Sequence, residues 1–147
     1  MIIRVLISII ATAAFAALFQ APKKQYFLCG LVGGVAYLVY SLIVPQGSVS
    51  TAVFFASLAL TVLSRMFSAA LKTPVTVFLI PGIFPLVPGA GIYSTAYHLF
   101  SGEGGLAAEK GLETLLIAGS ISLGLLFGSS IPQKVFDKAV SLIKKAP

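Results

Sequence analysis

The chain has few of the side chains on which protein chemistry usually depends. Its 147 residues include one cysteine, one histidine, no tryptophan and four acidic residues against ten lysines and arginines. A single cysteine, Cys29, excludes an intrachain disulfide and any site with several thiolate ligands, and we interpret it as a buried apolar thiol. The acids lie outside the apolar segments or at their rims, so no nucleophile with a base and no metal-ligand cluster is apparent. The sequence therefore predicts no enzyme, no metal site and no cofactor.

Charge is scarce throughout, and apolar side chains are abundant. Hydrophobic residues make up 58% of the chain and charged residues 10%, and the mean hydropathy is +1.03. An average soluble domain has about 25% charged residues. This composition predicts an all-α integral membrane protein, because 147 residues suffice for about five spans of roughly 20 residues with short loops.

Short breaks rich in proline, glycine or lysine divide the chain into apolar segments. We predict five spans: Ile2 to Ala21, Tyr26 to Val44, Val49 to about Leu71, Val75 to about Phe100, and Leu112 to Ile131. A glycine-rich loop, SGEGGLAAEKG, is predicted before the fifth. Residues 1–131 are therefore predicted to form one transmembrane domain, a helix bundle, and residues 132–147 a cytoplasmic basic tail.

The tail has the pattern of an amphipathic helix that begins after Pro132. Its lysines fall largely on one helical face, and the opposite face is apolar, formed by Val135, Phe136, Ala139, Val140 and Ile143. Such a helix would be attracted to the anionic cytoplasmic leaflet of a membrane. The alternative is a solvated end with no role beyond orientation.

The positions of the cations predict the orientation, because lysine and arginine near short loops are retained on the cytoplasmic side. With the N-terminus outside, only Arg4 and Lys110 lie on the outer face. We therefore predict a multi-pass protein of the bacterial inner or plasma membrane with its C-terminus in the cytoplasm. A cleaved signal peptide ending near ATAAFAA is the alternative, but it would invert every later loop.

Hydroxyl side chains form a stripe on the third segment. Ser57, Thr61, Ser64 and Ser68 are four, three and four residues apart and so share one helical face. They could hydrogen-bond within and between helices, or they could form one wall of a polar pathway. Arg65 lies beside them at the predicted cytoplasmic end. It could anchor the orientation by reaching the headgroups, or it could attract an anionic substrate electrostatically.

The fourth segment contains the residues least suited to a helix. Pro81, Pro85 and Pro88 lack the N–H that would bond to the carbonyls of Val77, Pro81 and Phe84. Freed carbonyls cannot face lipid without a large cost, so they must face protein, water or a ligand. The pattern predicts a broken span, as in transporters whose half-helices meet at a substrate site. The alternative is a structural helix with a proline kink.

The second half of this span is predicted to begin near Ala90. Its positive N-terminal end would point toward the membrane interior, and Gly89 and Gly91 would leave its first N–H groups open to approach. A carboxylate is the ligand that such an end favours.

The stretch KTPVTVFLIPGIFPLVPGAGIY resembles the signature of the threonine/serine exporter family, in the half that forms its C-terminal membrane domain. The resemblance extends over roughly Arg4 to Ile131 and implies a ten-span export unit for small amino acids, or for dicarboxylates such as succinate in a split two-protein form. Since this chain has only the five-span part, the resemblance also implies a separately encoded larger partner. The matched positions are Pro74, Pro81, Pro85, Pro88, Gly89 and Tyr93.

Two functions are therefore open. The first is the membrane component of a secondary exporter that binds a small carboxylate and acts with the larger subunit. The second is a non-transporting structural or assembly subunit, and a homo-oligomer is compatible with either. The candidate residues of the substrate pathway are Pro81, Pro85, Pro88, Gly89, Gly91, Tyr93, Ser57, Thr61, Ser64 and Arg65.

Overall fold

Helices account for nearly all of the chain that the structure describes. The computed structural model describes residues 2–145, with the side chains of residues 2–141. Within this range there are seven α-helices and no strand: α1 Ile2–Leu18, α2 Tyr26–Ile43, α3 Val49–Leu71, α4 Thr76–Ile83, α5 Gly89–Phe100, α6 Gly104–Ser130 and α7 Gln133–Lys145. Short 3-10 turns precede α2 and follow α2 and α4.

The bounds of α2 and α3 agree with the predicted second and third segments. Ser48 caps the start of α3, where its hydroxyl accepts a hydrogen bond from the Thr51 amide at 3.2 Å. At the other end Lys72 has a left-handed backbone conformation, φ 52°, and Ser68 donates to the carbonyl of Thr73 at 2.6 Å. Local cap chemistry therefore fixes both ends of this helix.

The all-helical membrane architecture is confirmed. By length and composition α3, α6 and the segment Lys23–Gln46 around α2 are long and apolar enough to cross a membrane. The helices Thr76–Leu86 and Gly89–Phe100 meet at a bend of 50°, and together they are also long and apolar enough to cross a membrane. They correspond to the broken span that the sequence predicts. Helix α1 is apolar but has only 17 residues, so the number of five spans stays a prediction.

Two predicted boundaries are wrong. The first helix ends at Leu18 rather than at Ala21, and Gln20 takes a left-handed conformation, φ 56°. The predicted glycine-rich loop is helical from Gly104 onward, which leaves only residues 101–103 as a turn. Alanine, leucine, glutamate and lysine there are strong helix formers, and Lys110 pairs with Glu113 one turn away at 3.0 Å.

Small residues bring the helices of the bundle close together. A Cβ atom at Gly33 of α2 would lie 2.0 Å from the Thr12 hydroxyl oxygen of α1. A Cβ atom at Gly82 of α4 would lie 2.4 Å from a methyl of Leu60 on α3. A Cβ atom at either position would force a neighbouring side chain to move. Gly33 thus brings α2 close to α1, and Gly82 brings α4 close to α3.

Helix α7 has the predicted amphipathic pattern. Phe136 is buried against the rest of the chain, whereas Lys134 and Lys138 are exposed. Val135 is 53% exposed and so lies at the edge of the apolar face, and the side chain of Ile143 lies outside the described residues. The assignment of residues 132–147 as a cytoplasmic tail stays a prediction.

Candidate functional site

The break between α4 and α5 is a defined backbone structure. After α4 the chain makes a 3-10 turn at Phe84–Leu86 and is extended at Val87. The Gly89 amide then donates to the Val87 carbonyl at 2.8 Å around Pro88, whose φ of −78° and ψ of 58° form an inverse γ-turn. The span is broken as predicted, but the break begins at Phe84, because α4 continues through Pro81.

Two of the carbonyls freed by proline are satisfied within the chain. The thiol of Cys29 on α2 donates to the Val77 carbonyl at 3.3 Å, which replaces the N–H that Pro81 lacks. The Phe84 carbonyl accepts from the Val87 amide, also at 3.3 Å. Cys29 is buried as predicted, but its role as a donor to α4 depends on a contact between distant residues that the sequence does not indicate.

Cavities lie on two sides of the break. One of about 340 Å³ is lined by Arg4, Ser8, Tyr37, Phe84 and Pro85, together with apolar residues of α1. A second, of about 240 Å³, is bounded by Tyr37, Tyr40, Val53, Ile117 and the segment 85–88. Tyr37 and Pro85 line both, so the irregular backbone and one phenol border the two spaces. Only the first lies within the roughly 300 to 1,000 Å³ that is typical of small-molecule sites.

The larger cavity has cationic and hydroxyl groups but no acid. The Arg4 guanidinium and the Tyr37 hydroxyl can donate hydrogen bonds to a carboxylate. Ser8 already donates to the carbonyl of Gly33 at 3.2 Å, so its oxygen can only accept. None of the residues lining either cavity is acidic. The lining therefore offers hydrogen-bond donors of the kind that suit an anion and no carboxylate.

The start of α5 presents one open glycine and one packed glycine. A Cβ atom at Gly89 would meet nothing within 4 Å, whereas one at Gly91 would lie 2.4 Å from the Thr114 hydroxyl oxygen of α6. Of the first four amides of α5, that of Gly89 donates to the Val87 carbonyl and that of Ile92 donates to the Pro88 carbonyl at 3.1 Å. The amides of Ala90 and Gly91 belong to the first turn, which has no acceptor within the helix. Gly89 therefore leaves space at the break, and Gly91 instead allows α5 to pack on α6.

The broken span and its flanking cavities lie within a stretch that matches a known family. The family model of the threonine/serine exporters, ThrE, matches residues 4–131, which is most of the chain. The chain belongs to the threonine/serine exporter family. The resemblance carried by the proline-rich stretch is thereby confirmed, and with it a multi-pass membrane protein that takes part in transport. Comparison with the solved structures finds no match.

Three of the four hydroxyls in the stripe on α3 are fully buried. Ser57, Thr61 and Ser64 are 0% exposed, and the first two donate to backbone carbonyls of their own helix at 2.9 and 2.8 Å. Gly124 and Gly128 of α6 pack directly against the Ser57 and Thr61 side chains. The stripe lines neither cavity at the break, so its placement agrees with the helix-packing interpretation, and a pathway role stays a prediction.

Tyr93 and Arg65 lie apart from the cavities at the break. Tyr93 is 72% exposed and stacks on Tyr97 along the outer surface of α5. Arg65 reaches the end of α6, where it donates to the carbonyls of Gly128 and Ser129. The predicted site residues are therefore divided among α4 and the break, the α3–α6 and α5–α6 interfaces, the surface of α5 and the Arg65 region.

Arg4, Tyr37 and Tyr40 were missed by the sequence analysis. The two tyrosines are three residues apart on α2, and their rings lie 5.7 Å apart. That spacing places them on one helical face and was visible in the sequence. Their position beside Pro85 was not, because it depends on how α1, α2 and α4 pack.

Proposed function

We propose that this chain is the membrane component of a secondary exporter for small amino acids, threonine and serine, or for dicarboxylates such as succinate. It acts with a separately encoded larger subunit. The observation that carries the proposal is the broken α4–α5 span, whose irregular backbone lies between two cavities in a chain of the threonine/serine exporter family. Irregular backbone at membrane depth is tolerated where it lines a cavity.

The groups around the break suit a substrate with a carboxylate. Arg4 provides a positive charge, Tyr37 provides a hydroxyl donor, and Phe84 and Pro85 provide an apolar wall. Charge-assisted hydrogen bonds from arginine to a carboxylate are about twice as strong as neutral ones. Since no acid lines these cavities, we assign proton coupling to the partner subunit.

The orientation that we propose has the N-terminus outside and α7 in the cytoplasm. In that orientation most cations lie on the inner face, as the distribution of lysine and arginine in bacterial membrane proteins requires. The larger cavity, near Arg4, then opens toward the outer half of the bundle. Substrate would leave the protein on that side.

Efflux measurements test the proposal directly. Cells that express the chain with its larger partner are loaded with labelled threonine, serine or succinate, and the rate of loss is compared with cells that express either subunit alone. We expect efflux of at least one substrate only when both are present. Efflux from the pair that does not exceed efflux from the larger subunit alone would refute the proposal.

A structural subunit is the second candidate function. The observation in its favour is that Ser57, Thr61 and Ser64 are fully buried, and that the first two pack against glycines of α6, as hydroxyls that serve helix packing would. Under this alternative each molecule of the larger subunit would export at its full rate without this chain. Loss of this chain would lower only the amount of the larger subunit in the membrane. Quantitative immunoblots beside the efflux assay distinguish the two.

A further inference from the structure

Arg65 carries a charge that no carboxylate neutralises in the described part of the chain. The ion pairs among residues 2–141 join His98 to Glu103 and Lys110 to Glu113, around the turn that begins α6. Arg65 lies at the other end of α6. A partly buried guanidinium without an anionic partner is costly, so its surroundings call for explanation.

Among the residues whose side chains are described, Arg65 contacts only uncharged groups. Its Nη1 donates to the carbonyls at the end of α6, its Nη2 donates to Oε1 of Gln133 at 3.0 Å, and its guanidinium lies 5.0 Å from the Phe136 ring centroid. Nε is buried and has no acceptor. These contacts orient the side chain and complement the helix dipole, but they leave one donor unsatisfied and the charge without a counter-ion.

A cavity of about 340 Å³ adjoins this guanidinium. It is an open cleft bordered by α3, α4, α6 and α7 and is lined by Arg65, Ser68, Val75, Leu79, Ser129 and Gln133. Its volume lies within the range of small-molecule sites, roughly 300 to 1,000 Å³. The walls combine one cation and several polar groups with two apolar side chains, an arrangement that suits a small anion with a short carbon chain.

We propose that this cavity binds the carboxylate of a small anionic metabolite, with Arg65 as its counter-ion. The choice of a carboxylate rests on the proposed function, since the exported substrates carry that group. The Gln133 amide oxygen now occupies a position at Nη2 that a carboxylate oxygen can take with a stronger, charge-assisted bond. The exposed Gln133 side chain would have to rotate away to admit the ligand. In the proposed orientation the site receives substrate on the cytoplasmic side.

Equilibrium binding of labelled succinate to the purified chain tests this site. The protein is placed in phosphatidylcholine nanodiscs at constant ionic strength, with sodium chloride as the reference salt. We expect wild-type protein to bind and Arg65→Gln to bind at least about tenfold more weakly, as the loss of a charge-assisted hydrogen bond predicts. Lys134→Gln is the matched control, because it removes a neighbouring positive charge that does not line the cavity.

A second variant keeps the test valid if Arg65→Gln fails to fold. Leu79→Phe reduces the cavity and leaves the hydrogen-bond acceptors of Arg65 intact, so it should also weaken binding by at least about tenfold while circular dichroism shows a folded protein. Wild-type protein that does not bind succinate, or wild-type affinity in Leu79→Phe, would overturn the proposal. So would stabilisation by phosphatidylglycerol without succinate binding, since that would assign the cavity to a lipid headgroup.

The result is separable from the test of export. Binding is measured on the purified chain without a partner, and efflux is measured in cells with both subunits. Absence of binding with normal efflux would refute this site and leave the proposed function intact. Binding without efflux would support the site and refute the proposed function.

Discussion

The hydrogen bond between Cys29 and Val77 predicts an energetic coupling that can be measured. Pro81 leaves the Val77 carbonyl without its helical donor, and the Cys29 thiol supplies one at 3.3 Å. Removing the thiol with Cys29→Ala leaves this buried carbonyl unsatisfied, at a cost of about 1 to 3 kcal/mol, in addition to the loss of packing. In the Pro81→Ala background, residue 81 regains an N–H that can bond to Val77.

Cys29→Ala should therefore cost less in the Pro81→Ala background than in the wild-type background. Thiols are weak donors, and side-chain hydrogen bonds measured in membrane proteins average about 0.6 kcal/mol with a maximum near 1.7, so we expect a coupling energy of about 1 kcal/mol. Cys29→Ser, which keeps a donor, should cost less than Cys29→Ala in the wild-type background. The free energies of unfolding come from detergent titrations followed by circular dichroism.

Wild type, Cys29→Ala, Pro81→Ala and the double variant form a double-mutant cycle that can refute this coupling. If Cys29→Ala costs the same in both backgrounds within about 0.3 kcal/mol, the effects are additive and the thiol contributes only packing. The account of how α4 continues through Pro81 would then be refuted.

Three further predictions follow from contacts in the bundle and from its orientation. Gly124→Ala should destabilise the protein by about 1 to 3 kcal/mol in thermal unfolding, because its Cβ would lie 1.9 Å from the Ser57 oxygen. Gly119→Ala faces open space and should be neutral or stabilising. Equal effects of the two substitutions would contradict the packing of α6 on α3. Tyr37→Phe should raise the substrate concentration for half-maximal efflux several-fold, because one hydrogen bond of about 1 kcal/mol is lost. Tyr26 lines neither cavity at the break, so Tyr26→Phe should leave this concentration unchanged. An unchanged value in Tyr37→Phe would exclude the phenol from the site. A green fluorescent protein fused to the C-terminus should fluoresce and a periplasmic phosphatase fused there should be inactive, and the opposite pattern would overturn the orientation.

Local chemistry made much of the fold predictable. Pro45 and Gly47 end α2, and Ser48 begins α3, so both boundaries were visible in the sequence. Three prolines within eight residues predicted the broken span correctly. The predicted loop before α6 was wrong because we took its glycines as helix breakers. A glycine costs only about 1 kcal/mol relative to alanine in a helix, and the alanine, leucine, glutamate and lysine beside these glycines favour a helix.

The remaining features depend on contacts between distant parts of the chain. Pro81 lies inside α4, where the thiol of Cys29, far away in sequence, donates to the carbonyl that Pro81 leaves without its helical N–H. Arg65 was predicted at the inner rim, but its acceptors at the end of α6 and at Gln133 could not be inferred from periodicity. The cavity between Arg4, Tyr37 and Pro85 likewise arises only when three helices pack.

Efflux through a variant with a repaired break tests the central claim most directly. Pro85→Ala combined with Gly89→Ala restores one N–H and removes the open glycine, which raises the helix propensity on both sides of Pro88 and changes the lining of both cavities at residue 85. The matched control combines Pro45→Ala, in the exposed turn after α2, with Gly105→Ala, which faces open space. At equal amounts of protein in the membrane and with the partner present, we predict that the first variant loses efflux and the control retains it. Efflux at the wild-type rate in the first variant would contradict the assignment of the break to the substrate pathway.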